Sequence, residues 1–317
     1  MQYVTLGKTG IKVSGLCLGA LPMGPSQKNM SPEDGAKVVK RALELGIDFI
    51  DTAQGYRTYG HIRPAVEETG IRPVIATKSP AATYEDMDAA VKEALSALNV
   101  DVIDIFFLHA ARGGMEVFEK RAEAHRCLLE YKAKGVIRAV GISTHNAKVA
   151  AAAAKREDID VVFPIINKKG RGIQEGTRED MEQAIRDCYG AEKGVMLMKL
   201  LGGGSMADEF EEAMEYGRKL ADGKAAIVLG MVSPEEVDMN VAWFEGKDLA
   251  AHKEKVKVQP KEFFMLSGMC IKCGKCMEMC HNNAIAMEET GARIIKENCL
   301  TCGYCVDACP QFIIRMV

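Results

Sequence analysis

Eleven cysteines occur in the 317 residues, and eight of them lie between Cys270 and Cys309. These eight form two copies of one spacing, Cys270-x2-Cys273-x2-Cys276-x3-Cys280 and Cys299-x2-Cys302-x2-Cys305-x3-Cys309, the second closed by Pro310. Three thiolates spaced in this way let one tight loop wrap a [4Fe–4S] cube, leaving the fourth cysteine of each run for a second cluster. A tetrahedral zinc site, the alternative, usually draws on two separated ligand pairs, which is a different pattern. A disulfide framework would need an oxidising compartment, and the amino terminus shows no basic-then-apolar export signal. Cys17, Cys127 and Cys188, scattered upstream, read as small buried apolar residues.

A second set of chemically capable residues sits at the ends of short apolar runs. Asp51 closes Phe49-Ile50-Asp51 and Tyr56 follows it, Lys78 closes Ala76-Thr77-Lys78, and His109 closes Phe106-Phe107-Leu108-His109. Singly, each has a structural explanation: a cap, a solvated lysine, a packing aromatic, a histidine at an element end. Together they make a proton donor for a carbonyl. A phenol ionises near pH ~10, a lysine ammonium beside it would lower that value, and an aspartate would hold the lysine charged. The histidine can hydrogen-bond the carbonyl oxygen while hydride arrives at carbon.

These residues need a frame. Candidate strands are Gly15–Leu18, Asp48–Asp51, Val74–Thr77, Ile103–Leu108, Ile137–Ser143, Val161–Pro164, Val195–Lys199 and Ala226–Leu229. Helical stretches Ser31–Leu45, Tyr84–Leu98, Glu116–Lys134, Asn146–Lys155, Arg178–Asp187 and Glu209–Leu220 alternate with them. This α/β pattern implies parallel strands with right-handed crossovers, and its length suits a (β/α)8 TIM barrel. A doubly wound sheet is the rival, but no G-x-G-x-x-G follows the first strand. Gly202-Gly203-Gly204 comes after the seventh strand, where barrels often build a phosphate site. Ahead of the barrel, Tyr3–Leu6 and Ile11–Val13 flank Gly7-Lys8-Thr9-Gly10 and read as an N-terminal β-hairpin plugging its bottom.

The composition, 48% hydrophobic and 27% charged with a net charge of −3, is that of a globular protein and gives no reason to expect nucleic acid or membrane as a partner. No apolar run reaches the roughly 18 residues of a bilayer span, so a cytoplasmic location is expected.

The cysteine-rich segment, residues 262–317, resembles a bacterial two-cluster ferredoxin, a small α+β iron–sulfur domain. The resemblance implies that Cys270, Cys273, Cys276 and Cys309 hold one [4Fe–4S] cluster, and Cys299, Cys302, Cys305 and Cys280 the other. His281 departs from the family, where proline usually follows the fourth cysteine. Residues 1–252 are expected to form the barrel and 253–261 a linker.

Over roughly residues 1–245, Leu6-Gly7-Lys8-Thr9-Gly10, Asp51-Thr52-Ala53-x-x-Tyr56, Lys78 and His109 resemble the aldo-keto reductase superfamily. The resemblance implies NADH- or NADPH-dependent interconversion of a small carbonyl or alcohol substrate, with Tyr56 as general acid, Lys78 and Asp51 tuning it and His109 orienting substrate. It also implies a nicotinamide-binding set of Ser143, Thr144, Asn167 and Lys199. Gly202 and Gly203 are expected at the pyrophosphate, and Gly230, Ser233, Glu236 and Asn240 at the adenosine end. Three positions depart from the family. Phe163 replaces a glutamine, Met198 an aromatic, and Glu236 an arginine that clasps the 2′-phosphate; the last predicts a preference for NADH.

A cluster passes single electrons and nicotinamide passes hydride, so coupling the halves calls for a converter, usually a flavin, although no flavin motif is present. Electron transfer implies a redox partner protein. Structural or docking clusters, or a non-catalytic barrel used for binding, are the alternatives. His145 reads as an exposed loop residue, and Lys168, Lys169 and Arg171 as a solvated basic loop.

Overall fold

The computed structural model describes residues 1–111, 113–256, 263–311 and 313–316. Strands β1 (Tyr3–Thr5) and β2 (Lys12–Ser14) pair antiparallel, as the hairpin reading expects. Gly7 bridges to Lys193, and the Ser14 amide donates to Asp48 Oδ1 at 2.7 Å. Both contacts lie just before barrel strands begin, which puts the hairpin across the amino-terminal end.

Eight parallel strands close the barrel: β3 (Leu16–Gly19), β4 (Phe49–Asp51), β5 (Val74–Ser79), β6 (Ile103–Ala110), β7 (Ile137–Thr144), β8 (Val161–Pro164), β9 (Gly194–Met198) and β10 (Ala225–Gly230), with β10 returning to β3. All eight expected strands are present, with ends displaced by two residues at most. They are legible because strands walled on both faces read as continuous apolar runs. Tyr84–Leu98 forms as expected, opened by the Thr83 hydroxyl accepting from the Asp86 amide. Glu116–Lys134 is instead two helices, Val117–Lys120 and Ala122–Ala133, broken at Arg121. Helix Tyr59–Thr69 was not expected, because Pro64 lies inside it. Helix Pro234–Phe244 was also absent from the sequence reading, although Ser233 caps it and Pro234 opens it.

Parallel register explains how three polar groups meet. Asp51 lies level with Ala76 on β5; Lys78, two residues on, shares that face and lies level with Phe107 on β6; His109 is again two residues on. Each step of two keeps the side chain pointing to the same side and follows the strand tilt of a closed barrel.

After the short helix Ala250–Lys253, the remainder of the expected linker from residue 257 onward lies outside the described residues. The cysteine-rich segment then pairs β11 (Phe263–Met265) with β14 (Ile314–Met316), and β12 (Ile285–Glu288) with β13 (Gly291–Ile294). Its two cysteine loops repeat one backbone shape. Lys272 and Gly274 are left-handed in the first, Thr301 and Gly303 in the second, and each loop runs into a short helix, Lys275–Met279 or Tyr304–Ala308. Among the described residues no helix is long and apolar enough to cross a membrane.

The segment lies over the carboxyl-terminal mouth of the barrel. Thr301 Oγ1 donates to the Gly203 carbonyl at 2.7 Å, Gln27 Nε2 to that of Cys302 at 3.4 Å, and Arg171 Nη2 to that of Glu297 at 2.9 Å. Gln174 Nε2 donates to the His281 carbonyl. The backbones touch closely: a β-carbon on Gly203 would run into the Leu300 carbonyl, and one on Gly303 into that of Ser26. Both glycines are also left-handed, with φ 74° and 87°, so each is required twice over. The basic loop is therefore engaged, not merely solvated, with Arg171 on the docked segment and Lys168 and Lys169 on Glu209.

Candidate active site at the barrel mouth

Asp51, Tyr56 and Lys78 are 4%, 6% and 1% exposed, respectively, and His109 is partly buried beside them. Lys78 Nζ donates to Asp51 Oδ1 at 2.5 Å and to the Thr52 carbonyl at 2.9 Å. Burial pushes the carboxyl up and the ammonium down, and each charge opposes the shift of the other. Taking Asp51 to alanine strands the lysine charge, so Asp51→Ala is expected to lose about 3–5 kcal/mol of stability. Asp51→Ala with Lys78→Met should regain much of that without regaining function, which urea midpoints for the three proteins would show.

The ammonium lies 4.8 Å from the centre of the Tyr56 ring and 5.1 Å from that of Phe163. Lys78 was expected to lower the Tyr56 pKa. Burial outweighs it, and the phenol is held well above its ordinary value, with Tyr304 and Asp51 adding to the shift. Burial also holds His109 well below its usual range, assisted by Lys78, so the ring is neutral at pH 7. The Tyr56 and His109 rings meet edge to face with centres 6.0 Å apart.

A cavity of about 170 Å³ opens over Asp51 and Tyr56. Its wall includes Tyr56, Phe163, Met198, Lys199, Gly203 and Gly230 from the barrel and Leu300 and Cys302 from the docked segment. Tyr304 hydrogen-bonds Tyr56, its ring lies 4.7 Å from that of His281, and His281 lies 6.0 Å from His145. His145 is 3% exposed, which corrects the reading of it as an exposed loop residue. It follows β7 directly and lies under the docked segment. Tyr304, His281, Leu300, Gln27 and Cys302 at this site were missed by sequence reasoning, which assigned the cysteine runs only to clusters. No local pattern announces docking between segments 98 or more residues apart.

The other expected cofactor residues are dispersed around the mouth. Ser143 lies level with His109, and the Thr144 hydroxyl accepts from the Asn146 amide at 3.0 Å. Asn167 closes its own loop, donating to the Arg171 carbonyl and accepting from the Arg171 amide, both at 2.9 Å. Lys199 has its ammonium pKa held down by burial, against the pull of Cys302. Gly202 is buried in the turn after β9. Ser233 caps helix Pro234–Phe244, Glu236 accepts from the Val232 amide at 2.8 Å, and Asn240 Oδ1 is buried without a hydrogen-bond partner among the described residues.

The cysteines gather in two groups of four. Cys270, Cys273, Cys276 and Cys309 line one small cavity, and Cys280, Cys299, Cys302 and Cys305 line another. This donor set suits an iron–sulfur cube in each. Backbone amides point at the sulfurs, Lys272 at Cys270 and Thr301 at Cys299, both at 3.4 Å, and Ala284 at Cys280 at 3.1 Å. Such bonds would stabilise thiolate charge and tune the potential of a cluster held there.

A closed parallel barrel with its buried titratable groups at the carboxyl-terminal mouth places the protein in the (β/α)8 class. Residues 15–245 match the Aldo/keto reductase family, and the chain belongs to it. Residues 269–313 match the 4Fe-4S dicluster domain. The chain is 30% identical over 169 residues to the 6-dehydroglucose reductase of Novosphingobium aromaticivorans, covering 46% of this chain and 53% of that protein. It is 26% identical over 193 residues to the L-galactose dehydrogenase of Arabidopsis thaliana, covering 57% and 60%. The chain thus spans little more than half the length of these curated relatives. In fold it is similar to the aldo-keto reductase AKR11C1 of Bacillus halodurans in its holo form, with TM-score 0.64, 22% identity and coverage of 80% and 96%. It is also similar to the Bombyx mori aldo-keto reductase AKR2E4 in complex with NADP, with TM-score 0.59, 16% identity and coverage of 82% and 94%.

Proposed function

We propose that the barrel mouth is an oxidoreductase site interconverting a carbonyl and an alcohol on a small molecule. The observation carrying this reading is the cluster at the barrel mouth, where Asp51 and Tyr56 line the cavity, Lys78 is bonded to Asp51 and lies 4.8 Å from the Tyr56 ring centre, and His109 meets that ring edge to face. Tyr56 gives its proton to the carbonyl oxygen while the carbonyl carbon takes up hydride from the family's nicotinamide carrier, admitted when the iron–sulfur segment is undocked, so that carbonyl, hydride and proton sum to the alcohol. An alkoxide is far more basic than a phenolate, so the transfer stays downhill even with the phenol's acidity weakened by burial. Lys78, held by Asp51, sets positive charge against the ring where phenolate charge develops. Neutral His109 keeps one ring N–H for the substrate oxygen and so orients it.

The two groups of four cysteines would hold two [4Fe–4S] clusters, which supply one-electron transfer beside this mouth when bound. The partner is a one-electron carrier protein meeting the exposed face around Cys273 and Ile271. Nicotinamide is the family's hydride carrier, yet a dinucleotide does not fit here as the segment is docked. The cavity of about 170 Å³ is small beside the roughly 300–1,000 Å³ of ordinary ligand pockets, and a flavin meets the same limit. The walls are mostly apolar, which favours a compact, largely apolar carbonyl substrate.

Turnover tests the reading. Anaerobically prepared protein is given small aldehydes and ketones with NADH, NADPH or reduced methyl viologen in turn, and alcohol is quantified. Alcohol formed with any donor supports the site; none with every donor defeats it.

A further inference from the structure

We propose that residues 300–304 occupy, in this chain, the seat a nicotinamide dinucleotide would take, so that docking of the iron–sulfur segment and dinucleotide binding are mutually exclusive. The inference rests on the mouth being the oxidoreductase site, but its test is binding and not turnover.

Barrels of this class build phosphate sites from the loops after their seventh and eighth strands, where backbone amides and glycines allow close approach. Here that loop is Gly202–Gly204, and its approach is already taken. Thr301 Oγ1 bonds to the Gly203 carbonyl, and the Leu300 carbonyl packs where any atom added to the Gly203 α-carbon would go. Leu300 and Thr301 fill the space a pyrophosphate would need over Gly203, and the Gly202 and Gly204 amides are already bonded to the Lys199 and Leu201 carbonyls at 2.8 and 2.9 Å. Further into the mouth, Tyr304 takes the hydrogen bond of Tyr56, where a carbonyl oxygen would lie, and Cys302 with Leu300 closes the cavity wall.

The adenosine end differs. Gly230 remains on the cavity wall, Ser233 caps the helix that follows, and on that helix Asn240 Oδ1 is buried without a partner among the described residues. The seat is therefore partly built and partly roofed, as expected for two occupants that alternate.

The roof is held in part by two side chains, of which Gln174 touches only the roof while Arg171 also bonds Ser205 Oγ in the seat's loop at 2.9 Å. Arg171 reaches the Lys296 and Glu297 carbonyls, and Gln174 the His281 carbonyl. If the undocked form is a fraction f of the protein, apparent affinity for the dinucleotide falls by that fraction. Variants that raise f tighten binding without any new contact.

The experiment is titration of the anaerobic, cluster-loaded full chain with NADH and with NADPH. It is run beside hydrogen exchange of the peptide spanning residues 299–304, for the wild type and for Arg171→Ala with Gln174→Ala. The expected result is at least tenfold tighter binding by the double variant at unchanged cluster absorbance, with residues 299–304 losing protection as nucleotide saturates either protein. Tight binding with residues 299–304 still protected overturns the proposal, and so does an affinity unchanged in the double variant. Should that variant lose its clusters, Gln174→Ala alone carries the same comparison. Because no turnover is measured, failure here leaves the carbonyl-reducing reading standing, and failure of that reading leaves this result intact.

Discussion

Tyr56→Phe is expected to lower carbonyl turnover by about 10²–10⁴-fold, the usual contribution of a positioned general acid. The loss should fall on the chemical step. Phenylalanine keeps the ring that packs against Lys78 and His109 and removes only the oxygen. Because Tyr56 is pushed well above its ordinary pKa, the phenol stays protonated through pH 9, and an alkaline loss of the wild-type rate would report Lys78, whose ammonium is pushed down by burial. His109, held well below its usual range, should give no break near pH 6.5. The variant also loses the hydrogen bond to Tyr304, so cluster absorbance and exchange at residues 299–304 must be followed beside the rate. A rate within threefold of wild type, with the clusters intact, would remove Tyr56 from the chemistry.

Much of the barrel could be read from sequence because burial on both faces writes itself as apolar runs and because caps mark helix starts. Ser31, Thr83 and Asn146 all accept the amide bonds their residue types suit. The catalytic candidates were legible for a related reason: strand ends fix position, and Asp51, Lys78 and His109 differ by one strand and two residues of register. Pro64 hid a helix because the cost of a proline within a helix is a local rule, while the packing of Ile62 and Ala65 that offsets it is tertiary. The sign of the Tyr56 shift was misjudged on similar grounds. Sequence shows that a lysine is near, whereas it does not show that the phenol is sealed beneath Leu300–Tyr304. His145 was misread by the same roof.

Loss of one cluster ligand should separate the two ends of the cysteine-rich segment in a manner that its linear order does not suggest. Cys309 lies ten residues beyond Cys299, yet it lines the cavity of Cys270, Cys273 and Cys276, while Cys280 lines that of Cys299, Cys302 and Cys305. Cys309→Ala is therefore expected to empty the outer site and Cys280→Ala the one against the barrel, each halving iron and sulfide from about eight to about four per chain. The consequences should differ. The segment's own core is small, centred on Ile285, Ala292, Ile313 and Ile314 with Cys276 and Cys309, so a cluster contributes folding energy there as metals do in other small domains. Cys280→Ala removes that support next to Leu300, Thr301 and Tyr304, and hydrogen exchange should rise over residues 299–304 and over Gly203 beneath them. Cys309→Ala should loosen residues 270–276 and leave the roof over Tyr56 in place. Electron paramagnetic resonance of the reduced proteins would report which cluster remains. If Cys309→Ala instead empties the inner site and bares Tyr56, each cysteine run binds its own cluster and the crossed assignment fails.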